Sequence, residues 1–305
     1  MPDITLNTIN SQIKDNKDEF IRQCESGYKS QLRAVCEKIC SLDGRVLVML
    51  AGPSSSGKTT TAKILSEYIN DFGGMAYTVS LDDFYHPRSV GYPLDENGKP
   101  DYECVEALDI ELLQSKLREI SEDKKSSLPV FDFKTGERIN NAKTIELKEN
   151  DVIIFEGLHA LNPVITDSLD AKELFRIYVS VSSRVYDKNG EVLLSKRDLR
   201  FIRRMVRDYS FRSTSVEFTF EVWQSVTRGE DKYLFPYEHL ADIKLDSFHP
   251  CEPCVFSQRA TDLLSCVEKD EYKEKAERLI NTLSLFDKTD YSVLPEDSLL
   301  REFTG

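Results

Sequence analysis

Residues Gly52, Pro53, Ser54, Ser55, Ser56, Gly57, Lys58, Thr59 and Thr60 complete a G-x-x-x-x-G-K-[ST] pattern. Each residue type has a physical reason to sit beside a chain of phosphates. Glycine lets backbone N–H groups turn inward around phosphate oxygens, and the helical "TTAKILSEYI" that follows adds the positive end of its dipole. Lys58 reaches the β- and γ-phosphates, and the Thr59 hydroxyl ligates Mg²⁺. The pattern predicts a bound nucleoside triphosphate with Mg²⁺ and leaves open what receives the phosphate.

A phosphoryl acceptor needs its hydroxyl held in line with the γ-phosphate and a base for its proton. "TVSLDDFY" ends a strand-like run with Asp82 and Asp83, and "VIIFEG" ends another with Glu156. Asp82 directly follows its run and is the better candidate base. Glu156 stands where an acid that holds Mg²⁺, directly or through water, belongs; Asp is the more usual residue there. "RDLRFIRRMVRDYSFR" then carries Arg197, Arg200, Arg203, Arg204, Arg207 and Arg212. Between residues 196 and 212 seven basic residues stand against Asp198 and Asp208, a local charge of +5. On a helix, Arg200, Arg203 or Arg204, and Arg207 share a face. A lid closing over transferring phosphates explains such a segment better than nucleic acid, because aromatic interleaving is weak and the rest of the chain is acidic.

Elements must bring these groups together. "RVLVML" is short and apolar throughout, as a strand buried on both faces of a parallel sheet is. "AYTVSL" (76–81), "DVIIFEG" (151–157), "FRIYVSV" (175–181) and "ADIKLDS" (241–247) are further strands. Helical patterns between them predict an α/β fold: a P-loop NTPase-type parallel sheet flanked by helices, which presents its functional groups at the carboxyl ends of its strands. Ile21, Cys24, Tyr28, Leu32, Val35 and Ile39 form one stripe of a preceding helix. "PVFDFKTGERINNAKTIELKEN" reads as a β-hairpin excursion turning near Thr135 and Gly136, and "YDKNGEV" (186–192) as a mobile loop.

The 305 residues carry a formal charge of −13, which argues against non-specific nucleic-acid binding. No apolar run reaches the length of a membrane span, and the first twenty residues lack the pattern of a secretory signal. Seven scattered cysteines fit a reducing cytoplasm better than a disulfide framework. Cys251 and Cys254 form a lone C-x-x-C, expected to be small, half-buried loop residues.

Taken together these residues resemble the uridine kinase and phosphoribulokinase family of P-loop kinases. "GPSSSGKTT", "SLDDFY", "PVFDF", "IIFEG" and "RRMVRDYSFR" come in that family's order within residues 45–250. "DENGKPDYECVEALD", "DFKTGER", "IFEGLHALNP", "WQSVTRGEDKYLFP" and the terminal "LLREFTG" resemble its nucleoside-kinase branch. The resemblance implies an N-terminal helical extension (1–44), a kinase domain (45–286) with its lid at about 195–230, and a tail (287–305). It implies Asp82 as base for a nucleoside 5′-hydroxyl, Thr59 and Glu156 on Mg²⁺, and Arg204, Arg207 and Arg212 acting from the lid. It places Asp83, Tyr85, Glu103, Phe131, Asp132, Phe133 and Arg138 around a nucleoside. A possible homo-oligomer is a further expectation of the same kind.

Three departures bear on the substrate. Glu103 and Cys104 stand where uridine-cytidine kinases carry Asp and His, the hairpin has no His near Gly136, and Ser213 and Thr214 replace a further lid arginine. The phosphate machinery is intact while the base-reading positions differ. The expected reaction is transfer from ATP to uridine or cytidine. The alternatives are a kinase of the same family acting on another small alcohol, such as a sugar phosphate, and a non-catalytic nucleotide switch. A sugar phosphate needs added cations, for which the hairpin offers Lys134 and Arg138. The guanine-reading N/T-K-x-D motif of GTPases is missing.

Overall fold

The structure, a computed structural model, describes residues 4–42, 46–167 and 169–305. The five expected strands are β1 (Val46–Ala51), β2 (Ala76–Ser80), β5 (Val152–Glu156), β6 (Leu174–Ser180) and β9 (Ile243–Asp246). They form one parallel sheet in the order β2-β5-β1-β6-β9. Side chains alternate across it. Val48, Leu50, Ile154 and Ile177 enter one core, and Leu47, Met49, Ile153 and Phe155 enter the other, so both faces of each run are apolar.

The first face is covered by α1 (Leu6–Cys40), α2 (Lys58–Asp71), α5 (Lys196–Arg212), α6 (Val216–Tyr233), α7 (Glu252–Leu264) and α8 (Asp270–Leu283). The second is covered by α3 (Ile110–Asp123), the short α4 (Pro163–Thr166) and the hairpin of β3 (Lys125–Asp132) and β4 (Glu137–Glu146). A smaller hairpin joins β7 (Val185–Tyr186) to β8 (Val192–Leu194), so the polar 186–192 segment is its turn, closed by Asp187. No helix among the described residues is long and apolar enough to cross a membrane.

The expected boundary between residues 44 and 45 lies outside the described residues. Helix α1 kinks at Asn16 and buries the expected stripe against the first core. The last segment enters that core as well: Leu294, Leu299, Leu300 and Phe303 are buried, the last in α9 (Arg301–Thr304). Cys251 and Cys254 are fully buried rather than half-buried; Cys251 stands in the turn that caps α7, and Cys254 lies in the helix and not in a loop. The apolar contacts of α7 with α5 and α8 draw them inward.

Candidate active site

Between β1 and α2 the chain wraps into an open loop. Gly57 has φ 87°, and a side chain there would also meet Leu299. Gly52 lies so close to the Val179 carbonyl that no Cβ fits. The Ser55 and Ser56 hydroxyls are buried without a protein hydrogen-bond partner. Buried polar atoms of that kind call for a ligand or water, and in this loop, at a helix N-terminus, they suit phosphate oxygens. The loop has the open form and the free donors to cradle an anion.

A cleft of about 240 Å³ opens over it. Lys58, Arg204, Arg207 and Arg212 line it together with Asp82, Glu103, Glu156 and Glu302. Thr59 Oγ1 donates to Glu156 Oε1 at 3.4 Å, joining the expected pair of Mg²⁺ ligands. The two oxygen groups suit a hard cation. Burial raises the Glu156 carboxyl above the ordinary range, and Lys58 partly offsets this.

Asp82 sits in a 3₁₀ turn (Leu81–Phe84) just past β2, opened by the Ser80 hydroxyl on the Asp82 N–H. Its carboxylate is exposed where it faces the cleft and walled by protein elsewhere. Burial raises its pKa, Lys58 lowers it, and Asp83 raises it. Glu103 faces it, pushed up to about 7, chiefly by burial and against the pull of Arg204.

On α5 the arginines divide. Arg204, Arg207 and Arg212 surround the buried Asp208 at 3.2, 2.8 and 3.5 Å, and their guanidinium groups reach the cleft. Arg204 also donates to Ser54 Oγ at 2.7 Å. Arg200 and Arg203 are buried beside the loop. Arg200 forms a bidentate pair with Glu230 at 2.7 and 2.8 Å and donates to the Ser54 carbonyl. Arg203 pairs with Glu252 at 2.5 Å and donates to the Ser55 carbonyl. Helical periodicity puts Arg200 and Arg203 with Arg204 and Arg207; their carboxylate partners on α6 and α7 set them apart.

The expected substrate residues are brought together in part. Tyr85 lines the cleft, with its ring 5.8 Å from Phe131 and 6.3 Å from Phe133. Tyr92 and Tyr102 extend this aromatic group. Asp83 accepts the Phe131 N–H at 3.1 Å and ties the hairpin to the sheet. Asp132 caps the hairpin turn, accepting from Lys134 N at 2.8 Å, and does not line the cleft. Arg138 is held by Asp109 at 2.9 Å and donates to the Tyr85 carbonyl, also outside the lining.

Sequence reasoning missed His159, Asp208, Glu230 and Glu302. His159 is buried in the cleft wall, with its pKa lowered to about 4 by burial, so it is neutral at physiological pH. A polar residue inside the apolar "LHAL" was the available signal. Glu230 and Glu302 lie more than a hundred residues from the loop they touch, so local pattern carries no trace of them. A second cavity of about 390 Å³ adjoins the loop at Pro53, with Tyr178, Arg184, Arg197 and Arg200 in its walls.

The sequence model described as the phosphoribulokinase / uridine kinase family matches residues 47–251. A uridine kinase of Staphylococcus aureus (strain JH9) is 30% identical over 199 residues, covering 65% of this chain and 85% of that protein. Among solved structures, a provisionally named fructose transport system kinase from Silicibacter sp. TM1040 superposes with a TM-score of 0.52. It is 21% identical over 70% of this chain and 98% of its own, a likeness of fold alone. A chain named as a possible uridine kinase from Bacillus stearothermophilus gives a TM-score of 0.48 at 22% identity, covering 71% of this chain and 98% of that one.

Proposed function

The chain belongs to the phosphoribulokinase / uridine kinase family, a family of kinases, and on that premise we propose that its cleft moves the γ-phosphoryl group of ATP to the 5′-hydroxyl of a nucleoside, uridine or cytidine. One observation carries the reading. The phosphate cradle, Asp82 and three arginines face one small cleft, and the aromatic group of Tyr85, Phe131 and Phe133 begins at the cleft wall. Cradle and arginines suit a triphosphate, and stacked rings suit a flat base.

The residues take these roles. Lys58 and the loop N–H groups hold the β- and γ-phosphates. Asp82 accepts the proton of the 5′-hydroxyl as its oxygen attacks phosphorus. Arg204, Arg207 and Arg212 meet the charge that spreads over the transferring group. Thr59 and Glu156 would hold Mg²⁺, which when bound neutralises phosphate charge. Glu103 holds the acceptor by its sugar hydroxyls, and α5 with most of α6, about residues 195–230, serves as the lid.

A sugar phosphate fits less well, since Arg138, a cation close to the hairpin turn, is already paired with Asp109. The test is ADP production with a panel of nucleosides and sugar phosphates, for the wild type and for Asp82→Asn. Uridine or cytidine should support turnover, and Asp82→Asn should lower kcat about 10²- to 10⁴-fold, the range of a positioned base, with ATP affinity little changed. Turnover with a sugar phosphate and with no nucleoside would sink the substrate assignment; an unimpaired Asp82→Asn would sink the base.

A further inference from the structure

Helix α9 stands in the wall of the phosphate cleft, and the roles above give it no task. The Glu302 carboxylate accepts from Thr60 Oγ1 at 2.6 Å and from the Thr60 N–H at 3.4 Å. Thr60 lies in the first turn of α2, where backbone N–H groups lack partners within the helix and point toward phosphate. A protein carboxylate therefore holds two of the donors that the loop offers to a nucleotide.

The segment that carries it is anchored. Leu299 presses on Gly57, Leu300 and Phe303 are fully buried, and the Arg203 guanidinium lies 5.1 Å from the Phe303 ring. Ser298 donates to the buried Glu25 of α1. Glu302 itself is only half-buried, so its side chain can swing while its backbone stays. These residues lie outside the 47–251 span of the family match, yet they complete the wall of the site.

We infer that Glu302 is a donor-site residue, whose carboxylate is the resident anion of the phosphate cradle and must leave Thr60 for the triphosphate to seat fully. The inference rests on the reading of the cleft as the donor site. A displaced carboxylate on an anchored helix stays near the phosphates and repels them. Glu302 thus weakens nucleotide binding and eases release of the diphosphate product.

The experiment measures ADP and MgATP dissociation constants by calorimetry for the full chain, Glu302→Gln, Glu302→Ala and Lys58→Ala, with thermal melting to confirm folding. Gln keeps the shape and an acceptor for the Thr60 hydroxyl but removes the charge. ADP without metal should bind Glu302→Gln about tenfold more tightly at low salt, the size of one nearby unit charge in a half-wet site. The gain should shrink as salt screens it, and Glu302→Ala should shift the same way. A merely structural role could not tighten binding. Unchanged or weaker ADP binding in folded Glu302→Gln, with wild-type binding still dependent on Lys58, would overturn the inference alone. Weaker binding confined to MgATP would make Glu302 a metal-side ligand and overturn it too. Wild-type protein that binds no nucleotide, or binds it equally after Lys58→Ala, would bring down the donor-site reading and the inference with it.

Discussion

Two groups of arginines on one helix differ in the number of carboxylates they meet. Arg200 and Arg203 have one each, Glu230 and Glu252, and these pairs are almost wholly shielded from water. Each guanidinium also donates to a carbonyl of the phosphate loop and lies over an aromatic ring. Arg204, Arg207 and Arg212 share one carboxylate, Asp208. Three guanidinium groups on one direct partner are unmatched in close ion pairs, and the cleft carboxylates Glu103, Asp82 and Glu302 act on Arg204 and Arg212 from farther off. Matched charge fixes the loop in shape, and unmatched charge waits for an anion. The difference teaches that charge on a helix face has no meaning for function until its partners are counted.

The largest expected effect lies in the unmatched group. Arg207→Gln should lower kcat about 10³-fold, as loss of a cation from other phosphoryl-transfer sites does, while urea unfolding shifts little. A normal kcat would end the assignment of that group to the transition state. In the matched group the signs reverse. Arg203→Ala leaves Glu252 buried and unpaired, and should destabilise the fold by about 3–5 kcal/mol. Replacing both partners, Arg203→Met with Glu252→Leu, should recover most of that stability, because a buried pair often adds little over apolar packing. Should the folded double variant lose kcat as severely as Arg207→Gln, the comparison breaks.

Asp208→Asn sharpens the boundary between the groups. Without its shared carboxylate the cluster repels itself, so the ligand-free protein should melt earlier. Pyrophosphate or ADP should then raise the melting temperature more than in the wild type, because bound phosphate supplies the missing charge. Equal stabilisation of both proteins would show that Asp208 does not set the resting cluster.

The smallest effect is one of pH. Glu103 is raised from an ordinary 4.5 to about 7, chiefly by burial. Its folded-state pKa lies above its unfolded one, so between those values the native state keeps a proton that the unfolded chain has released. This group therefore makes stability fall as pH rises through that window. Glu103→Gln should flatten that slope in urea titrations from pH 4.5 to 7; an unchanged slope would mean that Glu103 titrates normally.

The phosphate loop, the five strands and the hairpin were legible in the sequence because each is written in local pattern. A glycine-rich turn between an apolar run and a helix has few structural solutions, and runs apolar at every position, such as Val48 to Leu50, demand cover on both faces. Asp82 and Glu156 could be placed at strand ends for the same reason. Partnership was not legible. Residues 200, 203, 204 and 207 fall on one helical face, and nothing within the helix says that Glu230 and Glu252 will reach the first two. The resemblance put Arg138 and Asp132 among the substrate groups, and nothing in the hairpin's local pattern shows the Asp109 carboxylate or the turn N–H groups that they meet. Helix α9 is the sharpest case: Glu302 meets Thr60 across 242 residues of chain. Contacts of that range are set by how the whole core packs, through Leu299, Leu300 and Phe303. Sequence alone determined which groups this protein has for handling phosphate, since local pattern encodes the strand, loop and helix that present them. Only the tertiary structure decided which of those charges are already neutralised, since that depends on partners brought in from distant elements.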